Sequence, residues 1–401
     1  MLNFKPFRGL LRQSLLLLSL LCVTLPAGAR TLIDITGQRI SVPDRPQRIV
    51  LGESRMLYSI ALLSSGNPLQ HIVGWPQDLK KYDPQTWQIF ARRFPQMLKI
   101  PALGLDGVND INPEQVIALK PDLVILPQLA RNSDSGQQLE AMLNAAHIPV
   151  LRVDLRVNLL KNSERSMTLL GEVFSQPQRA ADFNRFYRFH MQRIASRLAS
   201  YHGPRPSVLL QLHLGRRSEC CVTSVNGSLG ELLSFAGGEN IARQQVKGVF
   251  GRLSEEQVIA AQPDYYFATG TAGPDEVAAL KLGPAVSAAQ TRDSLLTLTE
   301  QQNGLKQLRA LRNGHSGALW HNFYLSPWHV VATEFFATTL YPELFHDVDP
   351  QQTLRQLFHD FLPIPLSGSY LYRLSPAGPA SSGSGSRPPE VLHPDNVGHH
   401  R

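Results

Sequence analysis

INPEQVIALKPDLVIL (Ile111–Leu126) and LSEEQVIAAQPDYYFA (Leu253–Ala268) are identical at seven of sixteen positions, at a constant offset of 142 residues. Each opens on a helix-capping residue, Asn112 or Ser254, with Gln115 or Gln257 three positions later, the spacing of a capping box. Each then reaches a Pro-Asp pair, which ends the helix ahead of an apolar or aromatic run. The unit reads as helix–turn–strand. One copy in each half of the chain means two lobes built on one plan.

Around the first copy, short apolar runs alternate with helical spacing: Arg48–Gly52, Met56–Leu63, His71–Gly74, Leu123–Leu126, Ser135–Ala146 and Val150–Val153. This alternation predicts a parallel sheet covered by helices, an N-terminal α/β lobe over residues 30–174. From Ser175 the pattern changes. Ser175 is placed to cap a helix with Pro177 in its first turn, and Phe183, Tyr187, Met191, Ile194, Leu198 and Tyr201 recur at helical spacing. A helix of about 25 residues reaches roughly 40 Å, enough to join two lobes, and residues 175–202 are read as that connector. Gly203-Pro204-Arg205-Pro206 stops it. Strands and helices resume from Ser207 to about Leu374, a C-terminal lobe over residues 203–374.

The ends read differently. Lys5, Arg8 and Arg12 precede the apolar run Ser14–Leu25, followed by Pro26 and Ala27-Gly28-Ala29. This is the pattern of an export signal over residues 1–29, cleaved near Ala29, which predicts a protein exported from the cytoplasm. The run is shorter than the roughly 20 apolar residues a membrane span needs. Cys22 follows Leu21 rather than a small residue, which argues against lipidation. The tail 375–401 is rich in Ser, Gly and Pro without apolar periodicity and is expected to be disordered.

With 43% hydrophobic and 18% charged residues among 401, the chain has material for a substantial core. Three of its 39 basic residues fall in the leader, leaving 36 against 32 acidic ones, a mild and scattered excess that gives no nucleic-acid footprint. Three cysteines are too few for a disulfide framework or an iron–sulfur cluster. The adjacent pair Cys220-Cys221 leaves a vicinal disulfide and two free thiols both open. The chain has no P-loop, Gly-x-Ser-x-Gly or His-Glu-x-x-His motif, and its thirteen histidines show no helical His-x-x-x-His pair. Neither an enzyme nor a receptor for a naked metal ion is indicated, and no resident cofactor or metal is expected.

The order of these features, with Ser228-Leu229-Gly230-Glu231-Leu232-Leu233, Gly237-Gly238-Glu239-Asn240-Ile241 and the late segments Leu311–Gly314 and Leu319–Trp328, resembles the periplasmic binding proteins of ABC importers for ferric siderophores, haem and cobalamin. The resemblance runs from about Thr31 to Leu374. It implies two Rossmann-like lobes with parallel sheets joined by one long helix, a ligand cleft between them, a periplasmic location, and delivery to the permease subunits of an importer in the inner membrane. It also implies that one surface glutamate on each lobe docks to the permease. The matching residues are Glu114 and Glu256, with Glu255 as a neighbour of the second; by sequence alone each also sits where a helix dipole favours a carboxylate.

A ferric siderophore is a large, often anionic chelate whose iron is already saturated, so its receptor needs cationic donors and aromatic walls. Residues of those types after strand ends are Arg55, Trp75, Lys80, Lys81, Arg216, Arg217, Trp320, Tyr324 and Trp328, where open α/β sheets place ligands. Phe250 lies at a position where similar proteins often carry a cleft aromatic. Haem is the alternative ligand, with Tyr324 or His321 as an axial donor. Cobalamin fits less well, because the stretch Asp78–Pro101 is longer than its counterpart in cobalamin binders.

Overall fold

The computed structural model describes residues 28–64, 66–216, 220–273 and 279–374. Most of the leader (1–27), Arg217 and the tail 375–401 lie outside them.

The N-terminal lobe is built on four parallel strands in the spatial order Ile72–Gly74, Ile49–Leu51, Leu123–Pro127 and Val150–Val153. Helices cover both faces, so Leu123–Pro127 is buried at every position and reads as a continuous apolar run rather than an alternating one. The C-terminal lobe repeats the plan with Ser316–Trp320, Tyr265–Gly270, Ser207–Gln211 and Glu239–Asn240 in parallel, and Leu371–Leu374 antiparallel on the edge. Two antiparallel ribbons flank these sheets: Ala29–Ile33 with Arg39–Pro43, and Val222–Ser224 with Phe250–Arg252.

The repeated sequence does the same work in both lobes. Its helices span Pro113–Ala118 and Glu255–Ala261. Lys120 and Gln262, at the same place in the repeat, both turn the chain with left-handed backbones (φ +47° and +40°) just before the proline. The next residue then clamps the start of the lobe's first strand. Asp122 accepts from the amides of Gln47 (2.7 Å) and Arg48 (3.0 Å), and Asp264 from the amide (2.8 Å) and hydroxyl (2.7 Å) of Ser207. The caps differ: Ser254 and Gln257 form a reciprocal box, whereas Asn112 Oδ1 accepts from both Glu114 (2.8 Å) and Gln115 (3.2 Å) amides.

The connector is the 23-residue helix Pro177–Ala199, about 35 Å long. It starts later than the sequence reading implied, because Ser175 is not a cap: it adopts a left-handed backbone (φ +55°) that closes the preceding helix, Leu159–Val173. Both lobes hold the connector. Arg179 Nε donates to Leu62 O (2.8 Å) and Asn184 Nδ2 to Glu164 O (3.0 Å) on one side. On the other, Tyr187 meets His329 (2.9 Å) and Arg193 Nη2 donates to the fully buried Glu334 (2.5 Å). The apolar spacing seen in the sequence is the face that buries Phe183, Tyr187, Met191 and Ile194.

Candidate ligand cleft between the lobes

The loops that follow the strands of both sheets enclose a cleft of about 310 Å³, the place where parallel sheets of this kind receive ligands. The N-terminal lobe contributes Glu53, Arg55, Tyr82, Asp106 and Arg156; the C-terminal lobe contributes His213, Arg216, Thr271, His321, Asn322 and Tyr324.

Arginines from the N-terminal lobe are fixed by carboxylates beneath them. Asp78, fully buried, accepts from Arg55 Nε (2.7 Å) and from the amide and hydroxyl of Ser54 (both 2.8 Å). Glu53 accepts from Arg156 Nη1 (2.8 Å) and lies 3.9 Å from Arg55 Nη2. Burial pulls the Arg55 pKa down, but Glu53 and Asp78 more than reverse this, so the guanidinium is held firmly charged. For Arg156, burial acts the same way and Tyr324 and Glu53 outweigh it.

Tyr82 forms a shared aromatic surface, with Arg55 5.1 Å, Arg216 5.5 Å and Lys81 4.8 Å from its ring centre. Its hydroxyl donates to Asp106, and that bond, with Lys81 nearby, holds the Asp106 carboxyl below the usual carboxylate range. Tyr324 faces Arg156 at 5.9 Å.

The C-terminal lobe contributes two imidazoles as well as Arg216. His213 and His321 lie with ring centres 3.5 Å apart. Thr269 Oγ1 ties them together, accepting from the His213 amide (2.9 Å) and meeting His321 Nδ1 (2.8 Å). His213 reaches this position with a left-handed backbone (φ +52°), a conformation that non-glycine residues adopt at a cost. Burial keeps His321 neutral, with its pKa well below the ordinary histidine value, and neighbouring His213, Arg216, Arg55 and Arg156 push the same way.

Of the residues named from the sequence, Arg55, Arg216 and Tyr324 line the cleft, and Lys81, half exposed, lies beside it 3.5 Å from Asp106. The three tryptophans do not. Trp75 is 1% exposed and packs on Trp87 (5.9 Å). Trp320 and Trp328, equally buried, pack edge-on against Tyr58 of the other lobe (5.5 Å each), and Trp328 Nε1 donates to Tyr58 O (3.0 Å). They weld the lobe junction because their large apolar surface is worth more buried than exposed. Lys80 points to solvent, and Phe250, half exposed on its ribbon, is not among the cleft-lining residues. The sequence marks neither Arg156 nor Glu53, and it reads His213 as an isolated, satisfied histidine rather than a ligand. Arg156 was within reach of the rule that found Arg55, since it too follows a strand.

Cys220 and Cys221 are paired with each other, buried, and bracketed by backbone bonds between Cys221 and Leu253 (3.0 and 3.2 Å). The pair lies close in sequence to the loop that bears Arg216. Glu114 and Glu256 are exposed in the first turns of their helices, whereas Glu255 is partly covered by the turn at Gly304. A hydrogen bond from Ser254 holds the Glu256 carboxyl below its ordinary pKa.

The sequence profile of the periplasmic binding proteins matches residues 78–315, more than half the chain. The chain belongs to the periplasmic binding protein family. This binding protein is similar to the TroA-like periplasmic binding protein FepB of Veillonella parvula, with a TM-score of 0.80 and 26% identity over 86% of this chain and 99% of that one. The molybdate-binding protein MolA of Haemophilus influenzae is 22% identical over 361 residues, 83% of this chain and 90% of that protein. Helicobacter pylori CeuE, solved as a nickel–histidine complex, shares the fold at a TM-score of 0.59 and 14% identity over 84% and 97% of the two chains. Proteins of this family are periplasmic, are not enzymes, and deliver solutes to ABC transporter permeases. Among the described residues no helix is long and apolar enough to cross a membrane, and no group of three or more His, Cys, Asp or Glu side chains could hold a metal ion.

Proposed function

We propose that this binding protein captures an anionic metal chelate of the ferric-siderophore type in the interlobe cleft and hands it to an ABC importer. The observation that carries the reading is the convergence of Arg55, Arg156 and Arg216 from both lobes on one cavity, beside Tyr82 and Tyr324. Guanidinium groups donate charge-assisted hydrogen bonds to catecholate, hydroxamate or carboxylate oxygens, and the tyrosines offer flat surfaces to the chelate's rings. The His213–His321 pair adds imidazole nitrogens to whatever enters. In this reading residues 1–29 direct export to the periplasm, and Glu114 and Glu256 meet the permease, one from each lobe.

A second reading, capture of a tetrahedral oxyanion, is favoured by the modest volume of the cleft and by the relative that binds molybdate. Calorimetric titration with ferric catecholate and hydroxamate complexes, haemin and sodium molybdate separates the readings, and the visible spectrum of freshly isolated protein adds an independent fingerprint. Binding of molybdate with no uptake of any ferric chelate overturns the first reading. A Soret band, with binding of haemin alone, overturns both.

A further inference from the structure

The segment that carries Arg156 into the cleft is held by two carboxylates from different lobes. Asp154, buried at the end of its strand, accepts from the amides of Arg156 (3.1 Å), Val157 (2.9 Å) and Asn158 (3.0 Å), and from Asn162 Nδ2 (2.8 Å). Asn158 stands at the cap of the helix Leu159–Val173 but makes no side-chain cap bond, because its amide group is turned to Asp154 (3.3 Å). The cap comes from the C-terminal lobe. Glu231 Oε2 accepts from the Leu159 amide (3.0 Å), and the Ser228 amide donates to Val157 O (3.0 Å).

The approach is built into the chain. A Cβ on Gly227 would stand 2.9 Å from Val157 O, and Ser228, almost fully buried, takes a left-handed backbone (φ +55°) to make its contact. Two inter-lobe bonds and one cleft arginine thus fall within residues 156–159. The helix that carries Glu231 also packs against the helix Leu159–Val173, itself packed on the connector, so the contact lies on the hinge side of the cleft.

We propose that Glu231 is a positioning residue for ligand capture: by capping a helix of the opposite lobe it forms the pivot of lobe movement and orders the Arg156 segment. The ligand half of this inference rests on the cleft reading above; the pivot half does not. Hydrogen exchange of the full mature protein reads the pivot directly. Glu231→Ala should speed exchange at the Leu159 amide about tenfold or more, as expected when its charge-assisted bond is removed, and should also speed it at the Arg156 and Val157 amides, which keep Asp154 as acceptor but lose the ordering of their segment, while the rest of the helix keeps its protection. Glu231→Gln, which retains an acceptor oxygen, should restore most of it, and Gly227→Val should reproduce the loss without touching Glu231. Unchanged exchange in both Glu231→Ala and Gly227→Val overturns the proposal. With ferric citrate and sodium molybdate as probes, Glu231→Ala should raise the Kd of whichever one the wild-type protein binds by about fivefold or more. Faster exchange with an unchanged Kd reduces Glu231 to a structural cap and overturns the positioning role. If the wild-type protein binds neither probe, the chelate and oxyanion readings lose support, and exchange at Arg156 and Val157 alone decides whether Glu231 orders the segment.

Discussion

The same repeated unit serves the two lobes alike on one side of the molecule, while the lobes differ on the other. Around the repeat, Glu114 matches Glu256, Lys120 matches Gln262 in its left-handed turn, and Asp122 matches Asp264 in its clamp on the first strand. At the cleft the correspondence ends. One lobe offers guanidinium groups locked onto buried Glu53 and Asp78, and the other offers the paired imidazoles of His213 and His321, the latter neutral, with Arg216. The two lobes share the aspartate that satisfies the backbone at the start of the first strand, where loss would cost stability, and differ in the strand-end loops that face the cleft. Fixed charge for attraction thus sits on one wall, and adaptable donors for discrimination sit largely on the other.

The strongest way to break this contrast is Arg55→Ala. It strips a charge from the cleft and leaves Asp78 buried without its cation, so stability should fall by about 3–5 kcal/mol and affinity for an anionic chelate by about a hundredfold. Urea unfolding and calorimetry check the two effects. Unchanged stability would show that the N-terminal wall is not an ion-paired network.

Acid should strike the C-terminal lobe next. Burial pushes His329 down to about 3 and His321 well below its ordinary value, so the unfolded chain takes up protons before the folded one does. Their contribution is therefore complete above about pH 6.5 and is lost as pH falls below it, by up to about 1.4 kcal/mol per histidine per pH unit. Asp83, whose carboxyl is raised by burial, runs the other way and offsets part of the loss. Urea midpoints at pH 7.5, 6 and 5 measure the slope, and His329→Gln should flatten it; a variant with the wild-type slope removes His329 from the account.

A smaller effect is expected for Arg216→Ala. Affinity for an anionic chelate should fall about tenfold, with little change for a neutral analogue. Equal losses for both would assign Arg216 to loop structure.

The smallest effect on the isolated protein belongs to the shared face. The double variant Glu114→Gln, Glu256→Gln should keep its ligand affinity and fold, yet lower uptake by the reconstituted importer, and raised salt should reproduce part of that loss for the wild type. Normal uptake by the double charge reversal to Lys would leave these carboxylates only as helix-start groups.

Much of the fold was legible because it rests on local rules: proline and capping residues mark the repeated helix, and continuous Val/Ile/Leu runs mark parallel strands. The connector's start was misplaced by two residues, since Ser175 has both the chemistry of a cap and the position of a helix end. The cleft was legible only in part. Residue type and strand-end position found Arg55, Arg216 and Tyr324, but they could not tell a tryptophan on a wall from one welded under Tyr58. His213 was hidden for another reason. Its partner His321 is 108 residues away in the chain, and only the fold brings the two rings together.

The connecting helix, held to both lobes along its length, carries a kinetic consequence. Lobes pinned in this way should move only a little about the Glu231 contact before a ligand fits, so little apparent affinity should be lost to molecules not yet competent to bind. Association should then be a single concentration-dependent phase whose rate is set by encounter and by the charge of the arginine wall, falling as salt is added. Dissociation from such a stiff receptor should be slow for the same reason, so that release rather than capture is the step that limits delivery.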